Sequence, residues 1–433
     1  DGLFFRPLSP IPAKLKSYAP MSFAILALSF ILFLVMAVPV WAAMFVSAFL
    51  SILYTGFPLA IMAERSLSGI NSYTLQAVPF FIFAAVVMNR GGLTDRLLGV
   101  ARCFVGHFRG GTAQVDVLAS IFFAGMSGSA TADAASQGRI LIPHMQREGY
   151  DPGFAAGVNS ASATIGAIIP PSIAMVIYGS VTNISVGALF LAGIIPGLVT
   201  GIGMMSMVAY LAARRGYPRA EKMAWRDCVR PVIGALPALL APVIILGSIF
   251  TGIATPTEAG VIACVYALFL GFVVYRELKP KDVMPILRES VEATAVPVMI
   301  IAAGSVFAFA LTTSGFNSII RDLLGLVIDG PFGFLFLVIA IFMLVGLFVE
   351  GTAAMLIFVP VFMPLAQIYG IDPIQFAMIV IITIMIGTIT PPVGLQLFIA
   401  ADIARISVFK VDIWPFVAIM LLVVLALVFI PGL

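Results

Sequence analysis

The chain alternates between long apolar runs and short polar interruptions. Most of the runs have the length of a membrane-spanning helix, and they lack the two-residue alternation of a transmembrane β-strand. The apolar segments lie at 21–38, 40–55, 77–90, 112–132, 136–146, 153–182, 186–213, 231–250, 256–275, 293–312, 335–349, 353–368, 374–402 and 412–431. This pattern predicts an all-α polytopic membrane protein with about 10–11 transmembrane helices. Pro39 leaves open whether 21–55 forms one kinked helix or two.

Two of these regions are poor membrane spans. Segment 136–146 is too short to cross a hydrocarbon core of about 30 Å, and it contains an arginine and a histidine. We therefore predict that 112–146 is a re-entrant helical hairpin that enters from the cytoplasm, with its tip near 127–131. The same reasoning predicts a second hairpin at 335–368, which enters from the opposite side and has its tip near 350–352.

Both hairpins belong to an internal repeat. A shift of 221 residues aligns 131–171 with 352–392 without a gap and gives 13 identities in 41 positions. Roughly three or four identities would be expected by chance in so biased a composition. Five predicted spans, an odd number, separate Asp151 from its counterpart Asp372, so the two repeats should have opposite topology in the membrane. Inverted repeats with interrupted helices at corresponding positions indicate the binding site of a secondary transporter.

The composition excludes an ordinary soluble domain. Residues are 61% hydrophobic and 10% charged, whereas soluble domains carry about 25% charged residues. The net charge is only +3, but Lys and Arg are concentrated in the loops 90–109 and 214–230. The positive-inside rule places both loops in the cytoplasm, and we place the loop 276–292 on the same side. The basic loops lack the interleaved aromatic residues of a nucleic-acid site, so we predict no nucleic-acid partner.

Each of the predicted broken helices, 153–182 and 374–402, carries two consecutive prolines. Proline has no backbone N–H and clashes with the preceding turn, so a pair of prolines ends the helix and leaves earlier carbonyls unpaired. In hydrocarbon such carbonyls need a partner, and a small cation can serve as one. We predict two or more bound Na⁺ ions at these breaks and the facing hairpin tips. The predicted ligands are Ser127, Gly166, Ile169 and Pro170 at the first break, and Gly387, Thr388, Thr390 and Pro391 at the second.

The same breaks suit an anionic substrate. The half-helices that follow the prolines present their positive, N-terminal dipole ends, and acidic groups inside a membrane are functional by default. The predicted substrate-binding residues are Ser129, Thr131, Asp133, Asn159, Pro171, Ser172, Glu350, Thr352 and Pro392. Glu258, by contrast, is spaced from Thr255 as in a capping box, and we predict a structural role for it.

Alternative functions remain open at this point. An ion channel or a one-component Na⁺- or H⁺-coupled carboxylate symporter would have a related architecture. The run from Gly125 to Gly128 also matches the G-x-S-G pattern of an intramembrane serine protease. That chemistry needs a base beside the serine, and the two histidines of the chain lie outside clean spans. We therefore predict that the protein is not an enzyme.

Five motifs together resemble the large membrane (M) subunit of tripartite ATP-independent periplasmic (TRAP) transporters. They are GMSGSATAD at 125–133, IIPPSIAMVIYG at 168–179, TPTEAG at 255–260, AVPFFIFA at 77–84 and GTITPPVG at 387–394. The resemblance covers the chain from about residue 21 onward. One departure is Glu350, since family members often have a shorter acid or a neutral residue there. The resemblance therefore does not indicate whether a C4-dicarboxylate, sialic acid or another carboxylate is the substrate.

The resemblance implies a multi-pass transporter of the bacterial inner membrane that takes up an organic anion with Na⁺ by an elevator mechanism. It also implies a soluble periplasmic binding protein that delivers the substrate, and a small four-helix membrane subunit that is separate or fused. The predicted organisation is a connector at 1–20, scaffold helices and an interfacial segment at 21–75, a first inverted repeat at 76–213, cytoplasmic loops and scaffold helices at 214–292, and a second inverted repeat with the C-terminal helix at 293–433.

Overall fold

The computed structural model describes residues 13–217, 219, 223–316 and 330–430, and within these ranges the regular structure is entirely helical. The predicted all-α class is thereby confirmed. The α-helices are α1 (Ala13–Val35), α2 (Val40–Thr55), α3 (Ala60–Ile70), α4 (Ala77–Arg90), α5 (Leu93–Val105), α6 (Gly111–Ser127), α7 (Ala130–Arg147), α8 (Pro152–Ala163), α9 (Ile165–Ile168), α10 (Ile173–Thr182), α11 (Val186–Arg215), α12 (Trp225–Phe250), α13 (Pro256–Phe269), α14 (Val283–Thr313), α15 (Gly330–Gly346), α16 (Gly351–Ile368), α17 (Pro373–Thr388), α18 (Leu395–Ala404) and α19 (Trp414–Phe429). Most of the predicted connector 1–20 lies outside the described residues.

Several of the described helices have the length and apolarity of a membrane span. Five satisfy both conditions alone, and two bent helix pairs raise the number to as many as seven. The bent pairs are Ala60–Ile70 with Thr74–Arg90, which meet at 64°, and Pro152–Ile168 with Ile173–Thr182, which meet at 43°. Shorter apolar helices of 10–17 residues account for further predicted spans. This architecture fits a multi-pass membrane protein.

The N-terminal region forms two helices rather than one kinked helix. Ala37 adopts a left-handed backbone conformation with φ of 57°, and Pro39 is the N-cap of α2. Proline fixes its own φ and cannot donate to the turn before it, so α1 ends and α2 starts afresh. The two helices pack against each other, and α2 packs on α14.

The predicted capping box at the start of α13 is confirmed. The Thr255 N–H donates to Glu258 Oε2 at 2.8 Å, and the Glu258 N–H donates to Thr255 Oγ1 at 3.3 Å. These two bonds satisfy backbone donors that the first helical turn leaves free.

The two halves of the chain keep the 221-residue register in their helix boundaries. α7 and α16 both have 18 residues, and each begins after a capping residue, Ser129 in the first half and Glu350 in the second. α8 and α17 are both capped by an aspartate, Asp151 or Asp372, whose carboxylate accepts from two backbone N–H groups. Local capping chemistry therefore repeats along with the sequence.

The interrupted helices occupy the centre of the molecule. Every residue from 153 to 163 in α8 and from 375 to 388 in α17 is buried. The first hairpin, α6 and α7, packs on α8, and the second, α15 and α16, packs on α17. α18 crosses between the halves and packs on α7 and α8.

Candidate functional site

The turn of the first hairpin packs directly on the first proline break. α6 ends at Ser127, its C-cap Gly128 is left-handed with φ of 61°, and α7 follows the N-cap Ser129. Beyond the break, the Ile173 N–H donates to the Gly128 carbonyl at 3.2 Å. A Cβ on Gly128 would lie 2.6 Å from the Pro171 carbonyl oxygen, so only glycine permits this approach.

Two carbonyls at this break lose their helical donors. Pro170 and Pro171 have no N–H, so the carbonyls of Gly166 and Ala167, four residues earlier, have no i+4 partner. The Ala167 carbonyl instead accepts from Ser172 Oγ at 2.6 Å. No described side chain replaces the donor that Gly166 has lost.

Asp133 brings a carboxyl group to the same break. Its side chain is buried, and Ser127 Oγ donates to its Oδ1 at 2.6 Å. Within the described part of the chain, Asp133 Oδ2 has no hydrogen-bond partner. This oxygen faces Gly166, where an added Cβ would collide with it. A buried carboxylate oxygen without a donor is costly, so the oxygens of Ser127 and Asp133, beside the backbone of Gly166, suit a small hard cation.

The second hairpin packs on the second break in a similar way. The Gly394 N–H donates to the Leu347 carbonyl at 3.1 Å. Gly346 and Gly387 meet backbone to backbone, since a Cβ on Gly387 would lie 2.7 Å from the Gly346 Cα. The hairpin turn and the break are therefore held together through main-chain contacts.

Threonine oxygens are gathered at the second break. The carbonyl oxygens of Thr388 and Thr390 converge on Gly394, where a Cβ would lie 3.1 and 3.0 Å from them. Each threonine hydroxyl donates to a carbonyl of the preceding turn, at 2.7 Å for Thr388 and 2.6 Å for Thr390. Both hydroxyl protons are therefore engaged in hydrogen bonds, and the lone pairs of the hydroxyl oxygens remain available to a cation.

Glu350 caps its own helix from the second hairpin turn. Its Oε2 accepts from the N–H groups of Thr352 at 3.0 Å and Ala353 at 3.4 Å, and its Oε1 accepts from Thr352 Oγ1 at 3.0 Å. The carboxylate therefore stabilises the first turn of α16. It corresponds by the 221-residue shift to Ser129, the N-cap of α7.

A cavity of about 380 Å³ separates the two hairpin turns. The predicted site residues that line it are Ser127, Ser129, Thr131, Glu350, Thr352 and Thr388. The predicted residues that do not line it are Asp133, Asn159, Gly166, Ile169, Pro170, Pro171, Ser172, Gly387, Thr390, Pro391 and Pro392. The structure thus brings the hairpin tips to the cavity and leaves the proline breaks behind its wall.

Sequence reasoning missed five polar residues of this cavity, which are Asn89, Ser136, Arg139, Glu289 and Gln396. Arg139 is exposed to the cavity and has no ion pair or hydrogen bond with any described residue. It lies two helical turns beyond Thr131 on the same face of α7, so helical periodicity from the hairpin tip could have found it. Gln396 is buried, and its Oε1 has no partner among the described residues. No sequence signal singled it out, because its position depends on how α18 packs between the halves.

One of the acids that line the cavity is neutralised by an ion pair. Glu289 lines the cavity, and Arg90 Nη2 lies 2.7 Å from its Oε2. Since the Glu289 carboxylate is already paired, Arg139 and Glu350 are the charged lining groups that have no ion pair with a described residue.

The surroundings of Ser127 differ from those of a serine protease. Its hydroxyl donates to the Asp133 carboxyl group. His144 lies in the last turn of α7 and pairs with Glu148 at 3.2 Å. A serine whose proton is held by a carboxyl group at a helix break serves a binding site better than an acyl-transfer site.

Paired helix breaks, two hairpin tips and a polar cavity among apolar helices define a membrane transport protein. Residues 27–433 match the family described as "Tripartite ATP-independent periplasmic transporter, DctM component". The chain belongs to this family, as its motifs predicted. It is accordingly a large membrane subunit of a secondary transporter for organic acids, and a multi-pass protein of the bacterial inner membrane.

Relatives support this assignment over most of the chain. The sialic acid TRAP transporter large permease protein SiaM of Vibrio cholerae is 39% identical over 84% of this chain and 86% of its own. The C4-dicarboxylate TRAP transporter large permease protein DctM of Pseudomonas aeruginosa is 40% identical over 76% of this chain and 78% of its own. The crystal structure of the YdaH transporter of Alcanivorax borkumensis has a TM-score of 0.60 and 16% identity over 85% of both chains, which establishes a likeness of fold. The relatives are named as permeases, in agreement with a protein that is not an enzyme.

Proposed function

We propose that this subunit takes up an organic anion, a carboxylate, together with at least two Na⁺ ions. The observation that carries the proposal is the orphan Oδ2 of Asp133 at the first break, beside Ser127 and Gly166. Sodium at this point would satisfy both the carboxylate oxygen and the carbonyl that Pro170 leaves without a donor. The corresponding second site would use the carbonyl and hydroxyl oxygens of Thr388 and Thr390.

The cavity supports an anionic substrate. Arg139 has a permanently charged guanidinium group that matches a carboxylate in two parallel hydrogen bonds. The Ser129 hydroxyl at the tip of the first hairpin would supply a further donor to the same ligand. Because the proposed cation sites would lie behind the hairpin tips, each bound Na⁺ would favour the arrangement that binds the anion.

Family membership supports two protein partners. We propose that a soluble periplasmic binding protein delivers the substrate, and that a small four-helix membrane subunit, separate or fused, docks on the scaffold formed by 21–55. α1 and α2 pack on each other, and α2 packs on α14, which also contacts α16 of the second hairpin. We propose that the hairpins and broken helices move as a body against this scaffold, which would be an elevator mechanism.

Sodium coupling is tested by reconstitution. The purified complex with its small subunit is placed in liposomes, the binding protein is added outside, and uptake of a panel of radiolabelled carboxylates is measured. We expect accumulation under a Na⁺ gradient and none under a proton gradient without sodium, because the breaks then lack their cations. Equal accumulation under a proton gradient with sodium absent would exclude the proposed coupling ion.

Inverted repeats are tested by single-cysteine labelling on a cysteine-free background. The 221-residue repeat and the odd number of intervening spans support opposite topology. We expect a cysteine at Asp372 to react with an impermeant reagent from the periplasmic side, and a cysteine at Asp151 to react from the cytoplasmic side. Reaction of both positions from one side would contradict the inverted arrangement.

A further inference from the structure

A buried acid outside the cation and anion sites has no role in the proposed transport cycle. Asp116, in the second turn of α6, has a side chain with 0% exposure. It lies 17 residues before Asp133 in sequence, and it is not part of the cavity lining. An ionisable side chain inside a membrane protein is costly to retain, so its surroundings must favour one protonation state.

The hydrogen bonds to Asp116 are too few and too long for an ionised carboxylate. Asn159 Nδ2 lies 3.3 Å from Oδ1, and Ser162 Oγ lies 3.5 Å from the same oxygen. The Ser162 hydroxyl has a better acceptor in the Asn159 carbonyl, at 3.1 Å, and it has only one proton to donate. Charge-assisted hydrogen bonds to a carboxylate normally have a donor–acceptor distance of about 2.9 Å or less.

No positive charge compensates for this burial. The helices that contact α6 most closely are α4, α5, α7, α8, α9, α11 and α12. α8 and α9 have no charged or titratable side chain. The described charged or titratable side chains of the other five helices are Arg90, Asp95, Arg96, Arg102, Cys103, Asp133, Arg139, His144, Arg147, Tyr210, Arg214, Arg215, Arg226, Asp227, Cys228 and Arg230. Within the described ranges, none of the ion pairs involves Asp116.

The amide of Asn159 fits its surroundings in a second orientation. After exchange of its oxygen and nitrogen, Nδ2 donates to the Ala134 carbonyl at 3.1 Å and Oδ1 accepts from the Gly138 N–H at 3.3 Å. Gly138 makes room for this contact, because a Cβ there would lie 2.7 Å from the Asn159 side chain. In this orientation the amide oxygen faces Asp116 Oδ1, and two oxygens can share this position only if Asp116 carries a proton.

We propose that Asp116 is a proton-binding site whose O–H donates to the amide oxygen of Asn159. The neutral acid removes the cost of a buried charge, and the amide then bridges two backbone groups of α7. No bond other than the O–H forms or breaks, and the ligand is a proton taken from water. In this arrangement the Asn159 side chain makes hydrogen bonds within the protein and does not contact the substrate.

The bridge would connect the proton to the hairpin that carries the first cation site. Ala134 is the neighbour of Asp133 on α7, whereas Asn159 belongs to α8. Loss of the proton would turn the Asn159 amide so that its nitrogen donates to Asp116. The hydrogen bonds of the amide with Ala134 and Gly138 would then be lost. The packing of α7 on α8 should therefore weaken when Asp116 ionises.

Infrared spectroscopy of the purified complex tests the proton directly. At neutral pH the wild type minus Asp116→Asn difference spectrum should contain the C=O stretch of a protonated carboxylic acid, which moves to lower frequency in heavy water. Asp95→Asn removes an exposed acid of α5 and is the matched control, for which no such band is expected. A difference spectrum that contains only ionised-carboxylate bands for Asp116→Asn overturns the proposal.

The pH dependence of thermal stability gives an independent readout. The folded state holds a proton on Asp116 that an unfolded aspartate, with a pKa of about 3.9, has lost at neutral pH. Stability should then fall as pH rises, with a contribution of up to about tenfold per pH unit in the unfolding equilibrium constant. Asn at this position still donates to the Asn159 oxygen, so Asp116→Asn should fold and should lose this part of the pH dependence.

A metal cation at Asp116 is distinguished by two further measurements. If Asp116 is ionised and binds Na⁺, Asp116→Asn should shift the sodium concentration that stabilises the complex, and Ser162→Ala should destabilise it strongly by removing one of two donors. With a resident proton, the sodium dependence should stay within about twofold of wild type and Ser162→Ala should have a small effect. A sodium shift of tenfold or more in Asp116→Asn overturns the proposal, whereas failure of sodium-coupled uptake alone would count against the proposed function and not against the proton site.

Discussion

Replacement of Asp133 by Asn is expected to raise the half-saturating Na⁺ concentration for uptake by roughly 10–100-fold. The substitution keeps the shape of the side chain and removes the charge from the oxygen that faces Gly166. A cation at the first break would lose its only described carboxylate ligand, while the contact with Ser127 Oγ could still form. The measurement is substrate uptake into proteoliposomes that contain no sodium inside, at a series of external Na⁺ concentrations and with saturating binding protein.

Two comparisons make this result specific. Asp95→Asn removes an exposed acid from α5 and should leave the sodium dependence unchanged. Ser127→Ala should also raise the sodium requirement, and the double variant should cost less than the sum of the two single effects, because both groups belong to one hydrogen-bonded unit. An Asp133→Asn complex that assembles normally and keeps the wild-type sodium requirement would remove the first break from the list of cation sites.

Replacement of Arg139 by Gln is expected to raise the KM for the carboxylate by roughly 10–100-fold. Arg139 lines the cavity between the hairpin turns and is not paired with any described residue, so its charge is available to a ligand. Arg139→Lys keeps the charge but loses the planar two-point contact, so it should fall between the wild type and Arg139→Gln. Initial uptake rates at saturating sodium, over a range of substrate-loaded binding protein, separate this effect from the sodium requirement.

Arg102→Gln provides the matched control for the loss of a positive charge. Arg102 is exposed on α5 and does not line the cavity, so its removal should leave the KM unchanged. Direct binding of the carboxylate to the purified complex gives a second measurement that does not depend on the binding protein. Equal affinity in the wild type and Arg139→Gln would show that the anion is held elsewhere, with the hairpin N–H groups as the next candidates.

The sequence by itself determined where the helices are interrupted. Pro170 and its repeat counterpart Pro391 remove backbone donors wherever they occur, and Asp151 caps the helix that follows it through its own carboxylate. These effects act between residues a few positions apart, so they can be read from the order of residues alone. The 221-residue shift carried the same reasoning from one half of the chain to the other.

Only the tertiary structure decided which polar groups face one another. Asp133 and Asn159 both follow the first hairpin turn in sequence and both looked like substrate ligands, yet Asp133 faces the break at Gly166 and Asn159 lies against Asp116. Arg139 instead reached the cavity, because the packing of α7 on α8 and α18 turns one face of α7 inward and leaves another face toward the opposite hairpin. Contacts between helices that are distant in the chain set these orientations, and the orientation of a side chain about its helix axis decides whether it meets a cation, a substrate or the protein interior.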